Sequence, residues 1–142
     1  MIEVGFKRLT DDAILPVKAH PTDSGFDLYT NESAVIEPGG TKVIKTGIAI
    51  QLPAGYEAQV RPRSGLTSKT DLRVQLGTID NGYTGEIGII TDNRNIFSSD
   101  MVRKGKKLAQ LVIQQLPQVD DYEIDSLQET SRGTNGFGSS GY

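Results

Sequence analysis

The chain has 142 residues, with 15 basic and 18 acidic side chains, a formal net charge of −3, no cysteine and one histidine, His20. Disulfides, cysteine-bound zinc and histidine metal clusters are excluded, and the acidic balance argues against stable nucleic-acid binding, which wants a basic face. The length fits one domain, no apolar run can span a bilayer, and the first residues, Met1-Ile2-Glu3-Val4-Gly5-Phe6-Lys7-Arg8, lack a signal peptide's apolar region, so we expect a soluble protein of the cytoplasm or another intracellular compartment, with no membrane partner.

Short apolar runs alternate with turn residues, which predicts a predominantly β chain closed into a barrel or a jelly-roll-like double sheet. Val4-Gly5-Phe6 opens the series. Next comes Asp23-Ser24-Gly25-Phe26-Asp27-Leu28-Tyr29, two carboxylates around a glycine at a strand edge. Asp27, between Phe26 and Leu28, either points inward or satisfies a turn. Ala34–Ile36, Lys42–Lys45, Gly47–Leu52 and Tyr56–Val60 fit short strands, separated by Glu37-Pro38-Gly39-Gly40 and Pro53-Ala54-Gly55.

Arg61-Pro62-Arg63-Ser64-Gly65-Leu66-Thr67 takes a strand into the one short helix expected, with Ser64 near its N-cap. Arginine, hydroxyl and free helix N–H groups suit phosphate, although an ordinary capped turn with solvated arginines reads equally well. Leu76-Gly77-Thr78-Ile79-Asp80-Asn81-Gly82-Tyr83-Thr84-Gly85-Glu86 predicts a hairpin with Asn81-Gly82 near its tip. Its backbone can read a base edge, and Asp80 at the corner can hold a water or simply cap the turn. Gly88–Ile90 and Leu108–Ile113 are further strands, the latter entered through the basic turn Arg103-Lys104-Gly105-Lys106-Lys107 and carrying Gln110. Asp120 to Arg132 is a polar connector. The last eleven residues, Arg132-Gly133-Thr134-Asn135-Gly136-Phe137-Gly138-Ser139-Ser140-Gly141-Tyr142, combine glycines, an arginine for phosphate and a phenylalanine for stacking on a base, in a flexible arm or a frayed tail. We therefore divide the chain into a β domain, residues 1–131, and an arm, residues 132–142.

Taken in order, Ser24-Gly25-Phe26-Asp27-Leu28, Pro62-Arg63-Ser64-Gly65-Leu66, Gly77 to Gly85, Ala109-Gln110-Leu111 and Arg132-Gly133 with Gly136-Phe137-Gly138-Ser139 resemble the five motifs of the homotrimeric dUTPase family. The resemblance implies a jelly-roll-like trimer whose active sites lie between subunits, each closed by another chain's arm. It implies hydrolysis of dUTP to dUMP and pyrophosphate with Mg2+ on the triphosphate, which limits uracil in DNA and supplies dUMP for dTMP synthesis. Asp80 then activates the water, and Tyr83 packs under the deoxyribose. The backbone of Leu76, Gly77, Thr78 and Ile79 reads uracil. Arg63, Ser64, Gly65, Gln110, Arg132 and Ser139 hold phosphates, Phe137 with Gly138 covers the base, and Asp27 reaches the metal through water.

Three positions depart from the family pattern: the basic turn Lys104-Gly105-Lys106-Lys107, Asn135 in place of a glycine, and Val74 where some relatives carry a base-contacting asparagine. Two other readings stand beside the enzyme. One is a dCTP deaminase, which would use a glutamate such as Glu86. The other is a non-catalytic nucleotide-sensing protein on the same fold.

Overall fold

The computed structural model describes residues 1–141. Alternation of apolar and polar residues sets the strands. In β6 (Tyr56–Arg61), Ala58 and Val60 are buried while Glu57, Gln59 and Arg61 form the half-exposed face. β9 (Gly88–Asn93) buries Ile89, Thr91 and Asn93 in the same way.

A four-stranded sheet runs β2 (Phe26–Tyr29), β11 (Lys107–Gln115), β6, β8 (Gly77–Ile79). A three-stranded sheet runs β4 (Thr41–Lys45), β9, β7 (Leu72–Val74). Two ribbons pair β1 (Gly5–Arg8) with β5 (Ile48–Gln51) and β3 (Ala34–Ile36) with β10 (Asp100–Val102). Every pairing is antiparallel. One helix, α1 (Ser64–Lys69), bridges β6 and β7. The expected all-β architecture with one short helix is what the chain forms, and these crossed antiparallel sheets fit a jelly-roll-like arrangement. The sheets close on Leu28, Ile36, Ile44, Ile48, Ile87, Ile89, Leu108 and Leu111, each at most 1 % exposed. Burying each such side chain contributes about 1.5–3 kcal/mol.

Two local expectations need correction. The segment 76–86 is not a two-strand hairpin: β8 pairs with β6, and the chain after Gly82 crosses to the other sheet as β9. A tight two-residue hairpin of the type I′ kind needs positive φ at both central residues. Here Gly82 has φ +94, but Asn81 is not left-handed, the pattern of a type II turn. The Asn81 amide donates to the carbonyls of Pro53 and Tyr56 at 2.7 and 2.9 Å, which ties the turn to the β5–β6 connection. Secondly, Ser64 is not the N-cap. Arg63 holds that place with extended backbone and no side-chain cap bond. β7 and β10, three residues each, went unanticipated. The connector is less polar than expected, since Tyr122, Ile124 and Leu127 are all exposed along it. No helix among the described residues is long and apolar enough to cross a membrane.

Candidate active site

Antiparallel register assembles the first half of the site. Gln110 on β11 stands directly opposite Asp27 on β2 and Arg61 on β6, so the three side chains share one face of the sheet. Arg61 is held by Gln59, through bonds of 2.9 and 2.6 Å, and by Gln114 at 3.2 Å. Arg63, just past the strand end, turns back to Asp27. Its Nε lies 3.8 Å from Asp27 Oδ1, and its Nη1 donates to the Lys107 carbonyl at 3.1 Å. Lys107 Nζ lies 3.2 Å from Asp27 Oδ2. Asp27, with its side chain 16 % exposed, is thus clasped by two cations.

Gln110 donates to the Pro62 carbonyl at 2.9 Å and so braces the turn that presents Arg63. Gly25 permits this close approach. A Cβ there would fall 2.7 Å from Gln110 Oε1 and 3.2 Å from the Leu111 carbonyl. Ser64 and Gly65 are exposed at the start of α1, where the first amides of a helix lack intrahelical partners. Around Gly65 the position of a Cβ is open space.

The second half is a cleft of about 650 Å³ lined by Leu76, Gly77, Thr78, Ile79, Asp80, Tyr83 and Glu86, with Val43, Lys45 and Ile90 across from them. Side chains alternate along a strand. Five consecutive residues on one cleft therefore mean that β8 meets it with its backbone edge, which pairs with no further strand among the described residues. Asp80 is exposed, and its carbonyl receives the Tyr83 N–H at 3.1 Å. Tyr83 Oη donates to the Glu86 carbonyl at 2.9 Å. Val74 is buried in the core and does not line the cleft.

The arm lies apart from both halves. Among the described residues, the hydrogen bonds of residues 132–141 all fall within residues 130–141. Arg132 Nε donates to the Asn135 carbonyl at 3.0 Å, and these residues line a small concavity with Ser139 and Ser140. Asn135 is not left-handed; Phe137 is, at φ 53, with its ring fully exposed and Gly138 following at φ 88. Tyr142, the end of the predicted arm, lies outside the described residues.

Comparison with known proteins settles the family. The dUTPase family model matches residues 11–141. This chain belongs to the dUTPase family. A deoxyuridine 5'-triphosphate nucleotidohydrolase of Clostridioides difficile is 47% identical over 146 residues, covering 100% of both chains. One from Clostridium tetani is 48% identical over 137 residues, covering 95% of this chain and 94% of its own. Among solved structures, the dUTPase of Staphylococcus bacteriophage 80alpha with dUPNHPP superposes with a TM-score of 0.92 at 32% identity, covering 99% of each chain. A dUTPase from phage phi11 of S. aureus, described with a coordinated structural Mg(II) ion, gives a TM-score of 0.83 at 29% identity, covering 89% of this chain and 99% of its own.

Of the departures noted in the sequence, the basic turn finds local partners. The basic turn pairs Lys104 with Asp12 and Lys107 with Asp27. The Lys104 ammonium, and after it the Thr10 hydroxyl, hold the exposed Asp12 carboxyl below its usual range. Asp23 is a turn residue, its carboxylate accepting the His20 N–H at 2.9 Å. Sequence reasoning missed Lys107 as the partner of Asp27, because a basic turn reads first as a charged loop guarding a sheet edge. It also missed Lys45 on the cleft wall, which belongs to no motif.

Proposed function

We propose that this protein hydrolyses dUTP to dUMP and pyrophosphate, as the names of its relatives state for them. The observation that carries the reading is the free edge of β8 opening beside Asp80 and Tyr83 on one cleft. Unpaired peptide N–H and C=O groups are what a uracil edge hydrogen-bonds, and a packed edge leaves no room for thymine's methyl. Tyr83 packs beneath the sugar and leaves no space for a 2′-hydroxyl. Val74, being in the core, leaves base recognition to the main chain.

The phosphates meet Arg63, the exposed amides and hydroxyl at Ser64 and Gly65, and Gln110. Open space at Gly65 suits close approach by a phosphate oxygen. The water attacks the α-phosphorus as its proton passes to Asp80. The bond to the α–β bridging oxygen breaks, and that oxygen leaves with pyrophosphate. Arg132 and Ser139 close on the terminal phosphates and Phe137 on the base.

Among the described residues there is no cluster of three or more His, Cys, Asp or Glu, so a divalent ion here depends on the triphosphate for most of its ligands. The residues fit that role: Asp27, a lone carboxylate already facing two cations, is suited to hold a metal-bound water and not the metal itself. With magnesium bound, Asp27 would hold it through water, and the ion would supply positive charge to offset that of the triphosphate.

A homotrimer with active sites shared between subunits is part of this reading and rests on the family resemblance; an arm that makes no hydrogen bond to residues before Thr130, among the described residues, is free to serve another chain. The deaminase reading would use Glu86, which lines the cleft with one carboxylate oxygen bonded to the Gly47 N–H.

Product analysis with magnesium and dUTP, beside UTP, dTTP and dCTP, tests the proposal. Release of dUMP and pyrophosphate from dUTP alone is the expected result. Ammonia from dCTP would favour a deaminase, and bound dUTP without turnover a nucleotide sensor.

A further inference from the structure

Tyr83 is 48 % exposed in the cleft, yet its ring is not free to swing. Its Oη donates to the Glu86 carbonyl at 2.9 Å. The ring lies so close over Gly85 that a Cβ there would meet its hydroxyl oxygen at 2.5 Å and its Cζ at 2.6 Å. Glu86 is anchored in turn. Its Oε2 accepts the Gly47 N–H at 2.8 Å. The next residue, Ile87, donates its N–H to the Ile48 carbonyl at 2.8 Å and receives the Thr46 hydroxyl on its own carbonyl at 2.6 Å. Thr46 and Gly47 are buried between β4 and β5. Gly47 sits at φ +69, and a Cβ there would fall 2.6 Å from Asn31 Nδ2 and 2.9 Å from Ala13 Cβ, so glycine alone presents this amide.

We propose that Glu86 is a positioning residue for sugar selectivity. Its carboxylate fastens the 83–86 segment to the β4–β5 turn and so fixes Tyr83 at the depth that admits deoxyribose and rejects ribose. A ring rejects one extra oxygen only if it cannot retreat, because a yielding wall lets the larger sugar in. The proposal rests on the reading of the cleft as the dUTP site with Tyr83 beneath the sugar.

The test is kcat/KM for dUTP and for UTP in the full-length protein and in Tyr83→Ala, Glu86→Ala, Glu86→Gln and Tyr83→Phe. Glu86→Ala is expected to lower the dUTP/UTP ratio at least about tenfold, with the change mainly in KM and a smaller one in kcat for dUTP. Glu86→Gln, whose side-chain oxygen still accepts the Gly47 N–H, is expected to keep the ratio within about threefold. If Tyr83→Ala collapses the ratio while Glu86→Ala leaves it intact, the positioning role is overturned and the cleft assignment stands. If Tyr83→Ala leaves the ratio intact, the cleft assignment itself falls. If Glu86→Gln is as impaired as Glu86→Ala, the negative charge matters and the hydrogen bond does not, which also overturns the proposal. Should Glu86→Ala fail to fold, Tyr83→Phe removes only the bond from Oη to the Glu86 backbone carbonyl, through which the carboxylate's hold reaches the ring; an unchanged ratio there overturns the proposal, and a lowered ratio sustains it.

Discussion

Asp80 lies at the exposed end of the β8 edge, where a carboxylate can orient a water but gains nothing by holding the fold. Asp80→Asn keeps the shape and removes the proton acceptor. We expect affinity for a non-hydrolysable dUTP analogue within about threefold of the parent, measured by calorimetry, and kcat lower by about 10²–10⁴, the usual worth of a positioned base. Equal turnover in the variant would remove Asp80 from its role. At this scale the sequence was readable where a motif marks a residue, as it does Gly25, but the reason is structural: Gln110 and the Leu111 carbonyl occupy the room a side chain there would need. Asp27 was less readable, since a strand-edge aspartate alone does not reveal that Arg63 and Lys107 reach it from two other segments.

Elements were readable in proportion to how much of their pattern is local. β6 announces itself by alternation and β11 by its long apolar run, whereas β7 and β10 are three residues each and exist because neighbouring strands supply their partners. The missing hairpin has the same origin. Asn81-Gly82 is a strong local turn signal, but two distant carbonyls capture the Asn81 amide and the chain leaves for the other sheet. Helix α1 offers a direct test of a corrected assignment. A serine N-cap is worth about 1 kcal/mol to its helix. Ser64 caps nothing, so Ser64→Ala is expected to change unfolding free energy by less than about 0.5 kcal/mol in denaturant titration. The same variant should lower kcat/KM for dUTP about tenfold through a lost phosphate bond. A large stability loss with unchanged kinetics would reverse both halves of that assignment.

For the whole molecule, the arm and the β domain share no hydrogen bond beyond the Thr130 junction among the described residues. Deleting Arg132 to Tyr142 should therefore leave the thermal midpoint within about 2 °C of the parent while turnover falls at least about 100-fold. Were the arm to serve a neighbouring subunit, refolding the truncated chain together with full-length Asp80→Asn would restore activity that neither has alone, because mixed trimers unite an intact Asp80 with an intact arm. Continued inactivity of that mixture, with mixed trimers confirmed by size and mass, would place arm and Asp80 in the same chain. The β8 edge carries one more consequence. A row of unsatisfied peptide groups is also a template on which a foreign strand can grow, and proteins usually blunt such rows. Here the row is only three residues long, begins at a glycine and ends in the charge of Asp80. The shortness, the leading glycine and the terminal charge that make this row a poor template for a growing strand still leave its peptide groups open to a single small guest.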